Sequence, residues 1–245
     1  MIDLERRGDV FVLTMNDGEN RWNTTFTRAF SDAIDEVATS EGPAALVSVS
    51  SHPKFFSNGL DLDWVMGSDD DHPDGDRAVF GEEFMTLMAR IITLPLPTIA
   101  AVNGHGFGAG FMVALCHDVR LMRQDRGYLC ANEVEIGITI PGPELALFRH
   151  KIGASAFHET VMLAKRWTGP TAEAAGFVEA AVPIDQLEDR AMTRAAELAP
   201  LAANRVGYGW TKEQMYGTGA ALSQPDGAAH LLANSRDYPL RPPSA

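Results

Sequence analysis

Two glutamates, Glu133 and Glu135, stand two residues apart in the otherwise apolar run Ala131-Asn132-Glu133-Val134-Glu135-Ile136-Gly137-Ile138. A carboxylate in apolar surroundings resists ionisation, and its raised pKa suits it to moving protons near neutrality. In an extended segment the two would face the same side, whereas a bend between them would send them apart. Both arrangements are open on the sequence, and so is a plain surface pair on an edge strand.

Two further segments could hold the negative charge that proton removal creates. Asn103-Gly104-His105-Gly106-Phe107-Gly108-Ala109-Gly110 connects an apolar strand pattern, TIAAV, to the apolar helix start Phe111-Met112-Val113-Ala114. The first N–H groups of a helix are unpaired and sit at the positive end of its dipole. Glycines let a ligand oxygen approach them, which makes the turn a candidate oxyanion site. Glycines serving only tight helix packing are the plainer alternative. The turn also fits a dinucleotide fingerprint, Gly104-x-Gly106-x-x-Ala109 with Asp125 about 20 residues on. The short helix and the long chain before it weigh against that reading. The other segment, Lys54-Phe55-Phe56-Ser57-Asn58-Gly59-Leu60-Asp61-Leu62, follows the strand pattern AALVSVS. Small residues around Gly59 allow a bend that aims a backbone N–H into a cleft, although an ordinary loop would look similar.

Other chemistries find no support. His105, His117, His150 and His158 show no metal-binding spacing, so no metal is expected. There is no nucleophile elbow and no P-loop. Cys116 and Cys130 have apolar neighbours and read as buried thiols rather than a redox or zinc pair.

The elements that must position these residues follow from periodicity. Residues 2–15 read as two strands turning at Arg7-Gly8-Asp9. Phe26, Phe30, Ile34 and Val37 recur at helical spacing behind a cap at Thr24 or Thr25. A second amphipathic helix is expected over 79–93, and strands over TIAAVNG and DVRLM. From Ala154 the pattern is helical and alanine-rich, broken at Gly169-Pro170 and Pro183. The tail after Gln224 reads as polar loop. The β–α–β order argues for parallel strands. The acidic stretch 68–76 fails as a calcium loop, because its twelfth position is Gly81 rather than a glutamate. It reads as an exposed lid or loop.

The 245 residues, 45% hydrophobic, suffice for one large core. A formal net charge of −13 excludes nucleic acid as a ready partner. The start MIDLERRGDV lacks a signal-peptide core, no stretch approaches the roughly 18 apolar residues of a membrane span, and RPPSA is no peroxisomal address. A cytoplasmic protein with no membrane contact is the expectation.

In series, FFSNGLDL, IAAVNGHGFGAGF, NEVEIGI and LAKRWTGPTAEAAGFVEAAV resemble the crotonase, or enoyl-CoA hydratase/isomerase, family over residues 2 to about 200. The resemblance implies an α/β fold, a spiral of ββα turns, with a C-terminal helical region that drives trimer or hexamer formation. It divides the chain into a core at 1–190 and a helical region and tail at 191–245. It implies a coenzyme A thioester as substrate and no separate cofactor. The backbone N–H groups of Leu60 and Ala109 would form the oxyanion hole. Hydratases of the family carry a glutamate two residues past the last glycine of the turn; here that residue is Met112. Glu133 matches their second glutamate. An apolar residue followed by a single glutamate resembles the isomerase branch, which shifts the double bond of a 3-enoyl-CoA to the trans-2 position. By the same resemblance Arg21, Trp22, Ser57, Asn58, Asp61, Leu62, Gly108, Met112 and Asn132 would contact the substrate. Arg21, Arg28 and Lys54 are the local cations that a phosphate-bearing ligand needs on so acidic a chain. Phe56, Leu62, Trp64, Phe84, Met112 and Ile140 are candidates for the acyl pocket.

Overall fold

The computed structural model describes residues 1–67, 76–217 and 227–237. Nearly all of the acidic stretch 68–76, and of the tail after Gln224 its two ends at 225–226 and 238–245, lie outside the described residues. Strands β1 (Ile2–Arg7) and β2 (Val10–Met15) form the expected hairpin. Helix α1 (Thr24–Thr39) follows, buried through Phe26, Phe30, Ile34 and Val37 as its spacing predicts. Its cap is Asn23 rather than Thr24 or Thr25: the Asn23 side chain accepts from Phe26 N–H at 2.9 Å.

Beyond α1 the chain repeats one unit. Strand β3 (Ala45–Ser50) is followed by the short β4 (Phe55–Ser57), then by helices α2 (Leu62–Val65) and α3 (Asp76–Ile92). Strand β5 (Thr98–Val102) is followed by β6 (His105–Phe107) and helix α4 (Ala109–Cys116). Strand β7 (Val119–Arg123) is followed by β8 (Leu129–Cys130) and helix α5 (Gly142–Lys151). The first strand of each unit joins one sheet and the second joins another. The chain therefore winds as a spiral of ββα turns. Sheet order is β1-β2-β3-β5-β7-β9, parallel apart from the hairpin, and β4-β6-β8, all parallel.

Helices α6 (Ala154–Met162) and α7 (Gly169–Ala174) come next, with Gly169-Pro170 opening α7 rather than merely interrupting helix. The edge strand β9 (Ala180–Val182) was hidden in an alanine-rich run without alternation. Helix α8 (Ile184–Leu198) begins after Pro183, and the division expected at residue 190 falls inside it. A 3-10 turn (Ala199–Ala203), α9 (Arg205–Tyr216) and α10 (Ala228–Ala233) complete the described chain. The tail is thus not all loop: Ala228, Ala229, Leu231 and Leu232 bury α10 against α3 and α5.

The larger sheet is covered on both faces, which is why its strands are continuous apolar runs. Phe11, Leu13, Met15, Leu46, Ala100, Val102 and Met122 face the main core with α1, α3 and α4. Their alternating neighbours, including Val12, Val47, Ile99 and Leu121, face α8. That helix docks mainly through Leu187, Ala191, Ala195 and the following Ala199. Small side chains bring its backbone close to the sheet, so the last third rests on the core. Enlarging Ala191 to leucine should overpack this contact and cost about 1–3 kcal/mol, read from the urea unfolding midpoint.

Candidate active site

The three segments singled out in the sequence meet at the start of α4. Gly59 and Gly108 both have positive φ, +81° and +47°. At Gly108 φ and ψ (−115°) together fall where only glycine is at ease. A Cβ on Gly59 would lie 2.8 Å from the Phe107 carbonyl oxygen and 3.9 Å from Ala109 N. The backbone carrying Leu60 therefore runs directly beside the first residue of α4. Leu60 is held by a parallel bridge to Trp22: Trp22 N–H donates to Gly59 O and Asp61 N–H donates to Trp22 O, each at 2.9 Å. Those bonds use the neighbours of Leu60 and turn its own N–H the other way. Among the described hydrogen bonds neither Leu60 N–H nor Ala109 N–H has an acceptor. Ala109, as the first residue of α4, has none within the helix either.

Residues 131–140 do not form a strand. Glu135 N–H and Ile136 N–H donate to Asn132 O, Ile138 N–H donates to Glu133 O, and Gly137 takes a φ of +73°. This bend separates the two glutamates. Glu135 faces solvent and pairs with Arg166 through two bonds of 2.8 and 2.7 Å. Glu133 turns inward, and its Oε1 lies 2.8 Å from where a Gly108 Cβ would sit. Burial raises its pKa above the usual carboxylate range, offset in part by its own backbone N–H and by a hydrogen bond with Glu144.

Glu144, in the first turn of α5, was not legible as a site residue. It is 4% exposed, and its pKa is pushed well above the ordinary value by burial first and by the Glu133 charge second. Two carboxyls can share a hydrogen bond only if one carries a proton. Each of Glu133 and Glu144 leaves one buried oxygen, Oε2 and Oε1 respectively, without a hydrogen-bond partner among the described residues.

The remaining expected residues divide between surface and interior. Trp22 and Ser57 are fully buried and bonded to each other: Trp22 Nε1–H donates to Ser57 Oγ at 3.0 Å, and Ser57 Oγ donates to Asn20 O at 2.7 Å. Arg21 is partly exposed but ion-paired with Glu19 at 2.7 Å, and the same carboxylate accepts from Asn58 Nδ2 at 2.8 Å. Arg28 is likewise bound to Asp76 and Glu83. Lys54 sits over the Phe55 ring, 4.8 Å from its centroid. Asp61 caps α2 and Asn132 caps the 133–138 bend. Phe56, Phe84, Met112 and Ile140 are buried in the main core, with Trp64 packed against it, while Leu62 is exposed. The dinucleotide reading fails because β6 (His105–Phe107) runs through the glycine fingerprint, which is therefore not a tight strand-to-helix turn, and Asp125 is bound by Arg123 at 2.8 and 2.7 Å.

A spiral of ββα turns in which a half-buried carboxyl meets the glycine turn before α4 defines a class, and sequence comparison agrees. The profile of the enoyl-CoA hydratase/isomerase family matches residues 5–215, and the chain belongs to that family. It is 37% identical to the peroxisomal enoyl-CoA delta isomerase 2 of Arabidopsis thaliana over 184 residues, 74% of this chain and 77% of the plant protein. It is 35% identical to enoyl-CoA delta isomerase 3 of the same plant over 188 residues, 74% and 76% of the two chains. Among solved structures, an enoyl-CoA isomerase of Mycobacterium tuberculosis superposes with a TM-score of 0.77 at 27% identity, covering 95% of this chain and 97% of the other. An enoyl-CoA hydratase of Mycobacterium marinum gives 0.76 at 26% identity, covering 94% and 97%. Among the described residues no helix is long and apolar enough to cross a membrane.

Two outcomes follow from this geometry. Gly108→Ala strains the backbone and drives a methyl group into Glu133 Oε1, so the folded variant should lose turnover on the order of 10²-fold. The second concerns stability. The folded pKa of Glu144 lies above its unfolded value, so its contribution is fully present at low pH and is lost as pH rises through the folded value. Glu144→Gln should therefore melt higher than wild type by a margin that widens as pH climbs above the ordinary carboxylate range, measured by calorimetry.

Proposed function

We propose that this chain is an enoyl-CoA isomerase that moves the double bond of a 3-enoyl-CoA to the trans-2 position, with Glu133 as its acid/base. The observation that carries the reading is the inward turn of Glu133 onto Gly108, at the start of the helix whose first N–H group is free. A thioester carbonyl oxygen hydrogen-bonded to Leu60 N–H and Ala109 N–H would place the substrate's C2 near that carboxylate. Glu133 removes a proton from C2. The electron pair spreads over the carbonyl and the C3–C4 double bond as a dienolate, whose oxygen the two N–H groups stabilise. Glu133 then returns the proton at C4, leaving the C2–C3 double bond. The delta isomerase names of the plant relatives support this branch of the family.

Hydration would need a second group facing the cleft to position water. Met112 is apolar and buried, and Glu144 is itself buried rather than open to a cleft. Arg21, Asn58 and Asp61 lie at the partly exposed rim and are the candidates for coenzyme A contacts, along with Leu62, Gly108 and Asn132. No cofactor enters the scheme. We read the assembly as a homotrimer or hexamer, supported by Leu201, Val206 and Trp210, large apolar residues exposed in the C-terminal helical region. A cytoplasmic setting fits the free, buried Cys116 and Cys130.

The test is conversion of 3-hexenoyl-CoA to 2-hexenoyl-CoA, followed by ultraviolet absorbance, beside hydration of crotonyl-CoA. Wild type should isomerise and hydrate little, and Glu133→Gln should lower isomerisation by about 10²–10⁴-fold. A wild type that binds the thioester but does not isomerise it would overturn the assignment.

A further inference from the structure

The pair formed by Glu133 and Glu144 has a geometry that the single-base scheme does not use. Glu144 is the third residue of α5, after the cap Pro141 and then Gly142 and Pro143. A glutamate at that position ordinarily reaches back to the N–H of the capping residue. Proline has no N–H, and no side-chain capping bond is formed at this helix. Glu144 is thus not spent on its own helix. Glu133 Oε2 and Glu144 Oε1 are both buried and have no hydrogen-bond partner among the described residues. One proton held between the two carboxyls would provide for both atoms.

We propose that Glu144 is a positioning residue of the isomerase: as a neutral acid it donates to the Glu133 carboxylate from behind and keeps Oε1 turned toward the start of α4. The inference rests on Glu133 being the acid/base. Glu144 itself, enclosed by protein, does not touch the substrate.

A merely structural role and this one differ in their pH dependence. With one proton on the pair, Glu133 is a carboxylate and Glu144 is its donor. With two protons the base is blocked. With none, two adjacent negative charges repel and the carboxylate turns away. Turnover should follow a bell, with its acid limb from Glu133 and its alkaline limb from Glu144. Other titratable groups do not supply the second limb. Cys130 on β8 feels the Glu133 charge, but burial above all pushes its thiol up to about 12, and burial raises Cys116 on α4 to about 12 as well; His158 and Glu159 on α6, His230 on α10, and Arg149, His150 and Lys151 on α5 itself do not figure in the shift of either carboxyl. Glu135 is held outward by Arg166.

Two variants and one spectroscopic readout test the proposal. Glu144→Gln keeps a neutral donor, so kcat at neutral pH should stay within a few-fold of wild type while the alkaline limb disappears. Glu144→Leu removes the donor at similar volume. It should lower kcat on the order of 10²-fold with KM nearly unchanged, and move the acid limb to higher pH. Independently of turnover, infrared spectra at neutral pH should show the carbonyl stretch of a buried protonated carboxyl, lost in Glu144→Gln and kept in Glu133→Gln. An alkaline limb that survives in Glu144→Gln, wild-type kcat in Glu144→Leu, or absence of that band would overturn it. A wild type without isomerase activity would defeat the functional assignment instead, and the infrared band alone would then decide whether the pair holds a proton.

Discussion

A carboxylate can serve as a base inside a dry wall only if something other than water holds it. In this chain the wall is the start of α4, where Gly108 admits Glu133 Oε1 to a distance that any side chain would forbid. Everything around the site is arranged about that approach. The helix behind it is apolar on every side and buried along its full length. The 131–140 segment bends rather than runs straight, which brings Glu133 in and leaves Glu135 out. The cost of enclosing two carboxyls falls on the stability of the fold, and replacing such groups by apolar residues often stabilises a protein. Two opposed cores, one on each face of the larger sheet, make that cost bearable.

The proposed oxyanion hole adds a second requirement, that two N–H groups from separate units of the spiral face one point. Leu60 is placed for it by backbone contacts, not by ligand-like side chains. Trp22 fixes Leu60 through main-chain pairing, and its indole is anchored by Ser57, which also accepts from Gly59 N–H at 3.3 Å. Residues that look like ligand contacts in the sequence are here the frame. Arg21 and Arg28, counted as cations available for phosphate, are already engaged by Glu19, Asp76 and Glu83. A ligand phosphate would have to compete with carboxylates for them.

Much of this was legible in the sequence, for physical reasons that can be named. The helical spacing of Phe26, Phe30, Ile34 and Val37 gave α1, and buried parallel strands announced themselves as apolar runs. The glycine turn before Phe111 served both readings offered for it. Gly110 packs against β4, where a Cβ would meet Ser57 O at 2.4 Å, while Gly108 shapes the site. Alternation could not choose between Glu133 and Glu135, because the choice depends on a bend marked only by Gly137. Glu144 was invisible for a different reason: a glutamate in a first helical turn reads as ordinary capping until the proline at the cap position is noticed. Strand β9 and helix α10 are three and six residues long, too short for periodicity to register.

The enclosure of α4 also bears on how this chemistry could change over generations. Met112 lies on a helix with no solvent face, packed against α5, which carries Glu144. A glutamate appearing at 112, as hydratases of the family have, would enter an apolar layer close to the carboxyls of Glu133 and Glu144. Drift from double-bond transfer toward water addition would therefore demand paired substitutions, with Glu144 giving way as the new carboxyl arrives. Lineages would cross between the two activities by coordinated exchange rather than by one change at a time.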